Sequence, residues 1–224
     1  MSEINIYDNL LSLPLFLGMS RSEIQQAAGQ AKFDFKKMEE GTTIVSKGEL
    51  CTHLYFLLMG DIIVSTEAED AGYRIEEDIA APEIFQPERI FGLRQQFTHT
   101  YIAQKNCNIL CIDKKDVLKL SDRLDIFRIN LLNLISTQSQ KMYHCNLKEP
   151  PKNLEERIIR FIQARCLRPT GTKMFYIKMT RIAQELNDSR LNISKALNHL
   201  EAEGFIELHR GKIHIPALEK LTNR

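Results

Sequence analysis

The sequence predicts an α+β chain closing in a winged helix-turn-helix, and three observations carry that prediction. Phe33 to Ile112 is a series of short β-rich runs punctuated by Gly41, Gly48, Gly60, Gly72 and Gly92, which suggests a β-roll or barrel. From Val117 the apolar period changes from strand to helix and holds to Cys145. Met179 to Leu200 then reads as two short amphipathic helices with a polar break, followed by a hairpin pattern.

Taken in order, Leu10 to Ala31 is expected to be helical. Within it, Ser20 and Glu23 have the spacing of a capping box. The clearest strand signal is His53 to Val64, two β-rich runs around Met59-Gly60-Asp61, and Ile109 to Ile112 closes the series. The long helix carries Leu124, Phe127, Leu131, Leu134, Ile135, Gln138, Met142 and Cys145, mostly at three- and four-residue steps. Such a stripe can cover the β-rich part, a second copy of itself, or both. A dimer through 124–147 is the expectation, because helix-turn-helix proteins commonly pair to read two half-sites. Pro150-Pro151 ends the helix. Leu154, Ile158, Ile159 and Ile162 begin the C-terminal part.

In the helix pair, Ile182, Ala183 and Leu186 mark one buried face, with Thr180 as the expected cap. Asn187-Asp188 breaks the pattern, since short polar side chains compete for backbone hydrogen bonds and tolerate left-handed geometry. Ser189 is placed to cap the second helix, where Ile193, Ala196, Leu197 and Leu200 form one stripe. The opposite side presents Arg190, Leu191, Asn192, Ser194, Lys195 and Asn198. Amides and guanidinium groups can read base edges, and an apolar side chain can touch a thymine methyl. The same face would also suit an ordinary solvated helix. Gly204 is expected to stop the helix. Phe205 to Leu208 and Ile213 to Ile215 then read as two strands around a turn with Arg210 and Lys212, cations suited to phosphate contacts. The order helix, break, helix, hairpin is more specific than any of its parts.

The whole chain has a net charge of +1, but the charge is unevenly spread. Residues 150–224 hold 14 Lys and Arg against 8 Asp and Glu, a net +6, while residues 1–149 hold 16 against 21, a net −5. A basic segment joined to an acidic one fits a nucleic-acid reader attached to a sensor. No apolar run approaches the ~20 residues that span a bilayer, and Met1 to Leu10 lacks the basic region of a secretory signal. Cys51, Cys107, Cys111, Cys145 and Cys166 form no C-x-x-C pair, a pattern suited to a reducing cytoplasm. Cys107 and Cys111 are expected to be small core residues.

With these elements in place the chain resembles the CRP/FNR superfamily of bacterial transcription regulators over about residues 10–216. The resemblance rests on Leu54 to Val64, Ile90 to Leu93, Ile182 to Ile206 and Gly211 to Ile215. It implies a jelly-roll-like β-roll of cyclic-nucleotide-binding type over residues 1–120, a dimerisation helix over 121–149 and a winged helix-turn-helix over 150–224. It further implies double-stranded DNA, a second copy of the chain and RNA polymerase as partners, in the cytoplasm. The family's recognition helix usually begins Ser-Arg-Glu-Thr-Val; here Ser189 and Arg190 match, and Leu191 replaces the glutamate. A base preference different from that of the cyclic-AMP receptor is therefore expected at that position.

In cyclic-AMP-binding members a short helix carries Phe-Gly-Glu, whose glutamate binds the ribose, and an Arg-Ser or Arg-Thr pair binds the cyclic phosphate. The matching run here is placed at Phe91 to Tyr101, with Gly92, Leu93, Arg94, Thr100 and Tyr101 as candidate effector-binding residues. Leu93 replaces the glutamate and no Arg-Ser or Arg-Thr pair follows. A ribose hydroxyl without an acceptor and a phosphate without an arginine would each cost about 1 kcal/mol or more, so cyclic AMP is not the expected effector. Arg94 is expected to be a solvated surface residue. The N-terminal cysteines of iron–sulfur members are missing, since the first cysteine is Cys51. His53, His99 and His144 form no defensible haem pair: His53 is expected in a polar strand or turn, His99 in a surface loop and His144 on the exterior of the long helix.

Two other readings compete. A cupin-like metal enzyme would need a His-x-His pair, which residues 1–149 lack. A β-roll scaffold with a degenerate DNA domain is opposed by the basic face at 190–198. The expectation is thus a DNA-binding regulator with no catalytic residues, metal or cofactor, and with an effector other than cyclic AMP or none.

Overall fold

The computed structural model describes residues 10–11, 13–144 and 149–223, with side chains through 140 and again from 149. Contacts divide the chain into two compact units. The first runs up to Ile62 and from Ile79 through the long helix; the second combines Ile63–Asp78 with the chain from Lys148 onward.

In the first unit, a 3-10 turn at Pro14–Phe16 precedes α1 (Arg21–Gln30), so the expected helix over 10–31 is interrupted. The α1 cap is as expected: Ser20 Oγ accepts from the Glu23 N–H, and the Glu23 carboxylate accepts from the Ser20 N–H. That pairing holds the Glu23 carboxyl below the usual range. The strands of the chain before the long helix are β1 (Phe33–Met38), β2 (Thr43–Val45), β3 (His53–Met59), β4 (Asp61–Glu67), β5 (Tyr73–Ala80), β6 (Glu83–Ile84), β7 (His99–Ala103) and β8 (Cys107–Asp113), of which β4 and β5 lie mostly in the second unit. One antiparallel sheet has the order β1-β8-β3-β6, and β2 pairs with β7. β3 and β4 flank Gly60 as expected, yet they do not form a hairpin, because β4 runs beside β5 instead. Gly60 has φ of +98°, and a Cβ there would lie 2.7 Å from the Asn106 carbonyl, so this corner requires glycine.

Helices α2 (Lys114–Arg123) and α3 (Asp125–His144) follow. On α3, Phe127 and Leu131 are buried, and Phe127 packs on Phe16 at 5.6 Å. Asn130 Nδ2 donates to the Leu15 and Leu17 carbonyls, tying α3 to the N-terminal turn. The expected stripe thus serves its own unit through its first turns, while Leu134 and Ile135 are half-buried. A different face leaves Ile129 and Leu132 more than half exposed. Cys145 and the expected helix end at 147 lie outside the described residues, as do the side chains of Met142 and His144.

The second unit contains α4 (Leu154–Gln163), β9 (Lys173–Ile177), α5 (Met179–Glu185), α6 (Arg190–Ala202), β10 (Glu207–His209), β11 (Lys212–Ile215) and α7 (Leu218–Thr222). Ile158, Ile162, Phe175, Ile182, Ile193, Leu197, Leu200, Ile213 and Ile215 form its core. The sheet β10-β11-β9 continues into β5, so residues 63–78 belong by contact to this unit, a pairing the sequence reading did not contain. Among the described residues no helix is long and apolar enough to cross a membrane.

Candidate nucleic-acid interface and sensor interior

The recognition surface is built by α5, the turn Leu186–Ser189, α6 and the β10–β11 hairpin. Thr180 is not the cap of α5; the cap position is Lys178, without a side-chain cap bond, and Thr180 lies in the first turn. Asn187 takes φ of +48°, the left-handed geometry expected of the break. Ser189 caps α6 by accepting the Asn192 N–H at 3.1 Å. Ile193, Ala196, Leu197 and Leu200 are buried as the stripe requires. This leaves Arg190, Leu191, Asn192, Lys195 and Asn198 exposed and Ser194 half-buried. Leu191 is 64% exposed, an apolar side chain kept in water by a helix whose core face is already complete.

The angle of α6 is fixed from behind. Arg157 on α4 donates to the Asp188 carboxylate at 3.1 Å and to the Leu186 carbonyl. Asp188 also accepts from the Ser189 N–H and from Asn192 Nδ2 at 2.9 Å. The Asn192 hydrogen bond, then the Ser189 N–H and Arg157, hold the Asp188 carboxyl below the usual range. The Asn192 amide is therefore partly committed to its own turn, which makes it the most constrained of the expected base readers. Arg157 had no signal in the sequence beyond one more cation on an amphipathic helix.

The hairpin turns tightly at Arg210-Gly211, with Gly211 at φ of +77°. Between α6 and this wing lies a cleft of about 660 Å³, bordered by Lys178, Thr180, Arg190, Arg210 and Lys212 over a floor that includes Ile182 and Leu197. Among the described residues, the side chains of Arg190, Lys195, Arg210 and Lys212 make no hydrogen bond or ion pair. Cations without internal partners around a groove are available to phosphates and base edges. Lys178 and Thr180 border the same cleft at the start of α5. Sequence reasoning did not single out Lys178 because it precedes the helix pattern.

The candidate effector residues do not converge. Gly92, Leu93 and Arg94 lie on an exposed turn, with Leu93 fully in solvent, while Thr100 is half-buried and accepts the Lys47 N–H. Tyr101 is buried and stacked on Phe85 at 4.2 Å. Tyr55 and Phe97 complete that cluster, with Tyr55 6.1 Å from Phe85 and 6.0 Å from Phe97. The short helix of this region is Pro87–Arg89, ahead of the run chosen from sequence. It follows Phe85 and Gln86, and Gln86 takes φ of +36°. The Gln86 amide accepts from the Thr98 and His99 N–H groups and donates to Thr98 Oγ1. His99 is therefore not loop surface but a β7 residue. Burial, then the charges of Arg89 and Lys47, push its pKa down to about 4.

Among the described residues the thiols are held protonated by burial. Burial pushes Cys51 and Cys111 up to about 11 and Cys166 up to about 12, so thiolate is scarce at neutral pH. Cys107 is buried in β8, as expected of a small core residue. Among the described residues, no group of three or more His, Cys, Asp or Glu side chains is arranged to hold a metal ion.

Comparison with known proteins agrees with this division of labour. Residues 35–123 match the cyclic nucleotide-binding domain family, and residues 156–224 match the Crp-like helix-turn-helix domain family. No curated protein matches the sequence. Among solved structures, the catabolite activator protein of Thermus thermophilus shares 20% identity over 94% of this chain and 99% of its own, with a TM-score of 0.52. A Crp/Fnr-family transcriptional regulator from Eubacterium rectale shares 20% over 95% and 99%, with a TM-score of 0.55. The sensor domain of the regulator DNR from Pseudomonas aeruginosa shares 17% over 67% and 97%, with a TM-score of 0.52. At these identities the structural likeness is one of fold.

Proposed function

We propose that this chain, which belongs to the CRP/FNR family of DNA-binding transcription regulators and is not an enzyme, reads its operator as a cytoplasmic homodimer controlled by an effector other than cyclic AMP or by none. The observation that carries the DNA reading is the set of unpartnered cations, Arg190 on α6 with Arg210 and Lys212 on the wing around one cleft, and Lys195 exposed further along α6. Arg190, Lys195 and Asn198 are base readers, aided by Leu191 against a thymine methyl, with Asn192 and Ser194 secondary. Ser189, Arg210 and Lys212 position the backbone. RNA polymerase is the partner through which such a regulator would act.

Two observations support the finer claims. Ile129 and Leu132 stand exposed on α3 one turn apart, an apolar strip that a second copy would cover. In the roll, Tyr55, Phe85, Phe97 and Tyr101 fill the interior with aromatic rings. Leu93, which stands where the resemblance places the ribose-binding glutamate, is fully in solvent, and Arg94 beside it is exposed. A nucleotide seated there would leave polar groups unpaired.

Selection of bound sequences from a random duplex library tests the reading. The expected result is a two-fold-related site, lost in Arg190→Ala and different at the Leu191-facing base from the cyclic-AMP receptor's site. Recovery of no enriched sequence, or of that receptor's own site, would refute it. Titration calorimetry with cyclic AMP is expected to give no micromolar binding.

A further inference from the structure

Residues 63–78 are an insertion of one unit's chain into the fabric of the other. β4 and β5 cross from the first unit into the second at 62–63 and 78–79. β5 then pairs antiparallel with β9 over five positions, from Tyr73 opposite Ile177 to Glu77 opposite Lys173. This is strand addition to the sheet that carries the wing.

Side chains lock the pairing at each step. Glu77 and Lys173 are both buried, 2.8 Å apart, and Glu77 also accepts the Leu167 and Arg168 N–H groups. Tyr73 stacks on Phe175 at 5.6 Å. The Tyr176 hydroxyl donates to Glu76, and the Arg74 guanidinium lies over the Tyr176 ring. At the tip, Asp70 meets Arg181 of α5 at 2.7 Å.

The tip lies beside the DNA-facing surface. A cleft of about 490 Å³ between the hairpin and α5 is bordered by Glu67, Gly72, Lys178, Thr180, Arg181 and Gly211. Lys178, Thr180 and Gly211 also border the cleft between α6 and the wing. The carboxylates of Glu67 and Asp70 therefore stand at the edge of the surface where phosphates would run, with Glu69 exposed in the same turn, and Asp70 shares Arg181 with Glu185. Like charges within a Debye length of the phosphate path oppose binding.

We propose that the β4–β5 hairpin is an autoinhibitory clasp that, while paired on β9, holds the helix-turn-helix in a weak DNA-binding state. The inference rests on the DNA reading above. Because both strands are continuous with the sensor's own chain, a change in the roll reaches the clasp through two covalent strands rather than through the α3 linker alone. Release breaks the Asp70–Arg181 pair, leaving Arg181 with Glu185 of its own helix, and withdraws the acidic tip.

Full-length protein carrying Arg74→Cys with Tyr176→Cys, a pair in register across the ladder, can be oxidised to hold the clasp shut and reduced to free it. Cys51, Cys107 and Cys111 are buried, and Cys145→Ser with Cys166→Ser in the same background removes the other two thiols. Binding is read by fluorescence anisotropy on a labelled pool of random-sequence duplex DNA. The oxidised form is expected to bind about tenfold more weakly than the reduced form, and Glu69→Gln with Asp70→Asn to bind more tightly than the parent. Equal affinity of the oxidised and reduced forms, with the crosslink verified by mass spectrometry, overturns the clasp while leaving DNA binding intact. Failure of the pair to oxidise also overturns it, since directly opposed residues in a ladder lie within disulfide reach. Absence of DNA binding by the parent protein removes the DNA reading and the clasp together.

Discussion

Lys173→Met is expected to destabilise the second unit by about 3 kcal/mol. The Lys173 ammonium is 1% exposed, 2.8 Å from a Glu77 carboxylate that is fully buried, and it also donates to the Thr170 carbonyl at 2.7 Å. Methionine keeps most of the stem's packing volume and removes the charge, leaving the carboxylate behind. Breaking one side of a buried pair typically costs about 3–5 kcal/mol. The low end applies here because the Leu167 and Arg168 N–H groups still reach Glu77, at 2.5 and 3.1 Å, and continue to solvate it. Replacing both residues, as Glu77→Leu with Lys173→Met, removes the stranded charge but orphans two backbone donors at about 1–3 kcal/mol each. The double variant should therefore be less damaged than the sum of its singles, with a coupling of about 2 kcal/mol. Urea unfolding followed by far-UV circular dichroism gives the free energies, and amide exchange on β9 assigns them to this unit; the chain has no tryptophan to report by fluorescence. A Lys173→Met cost under about 1 kcal/mol would place the pair in the range of exposed ion pairs and refute the argument from burial.

Charge on α3 should control assembly: Ile129→Glu with Leu132→Glu is expected to give a monomer by sedimentation, with helix content unchanged, because both side chains are exposed in the isolated chain. His99 should make the first unit acid-sensitive. Its pKa is pushed down from 6.5 to about 4, so the unfolded state binds the extra proton, and stability present above about pH 6.5 is lost as pH falls toward 4. At about 1.4 kcal/mol per unit this amounts to roughly 3 kcal/mol, and His99→Gln should flatten the urea midpoint between those pH values. On the wing, Arg210→Ala should reduce the salt dependence of DNA binding by about one phosphate contact, a slope change near 0.9, with little effect on which sequence is preferred. A changed preference with an unchanged slope would instead mark Arg210 as a base reader.

The two halves of the recognition surface differed in how visible they were beforehand. The stripe Ile193, Ala196, Leu197 and Leu200, the Ser189 cap and the left-handed Asn187 are all set by neighbours within a few residues. Local propensity and period therefore expose them to a reader of the sequence. The same holds for the Ser20–Glu23 capping box and for Gly60 at the corner after β3. Arg157 is different: its carboxylate partner Asp188 is 31 positions away, and nothing near Arg157 distinguishes it from Arg160, the other cation of α4. The dispersal of Gly92, Leu93, Arg94, Thr100 and Tyr101 has a related reason. Phe91-Gly92 resembles a short motif in sequence, whereas the short helix of this region lies at Pro87–Arg89 after Gln86, which takes φ of +36° without being glycine.

By itself the sequence determined the kinds of element, their order and the face each helix buries, because periods of two and 3.6 residues are written into consecutive side chains. It also determined the basic character of the C-terminal part. Only the tertiary structure decided that β5 joins the wing's sheet, that Glu77 and Lys173 neutralise one another in the core, and that aromatic rings occupy the roll. Strand pairing joins residues about a hundred positions apart through backbone groups that every residue possesses. A run such as Glu76-Glu77-Asp78 therefore looks like solvent-facing charge until its partner strand is known.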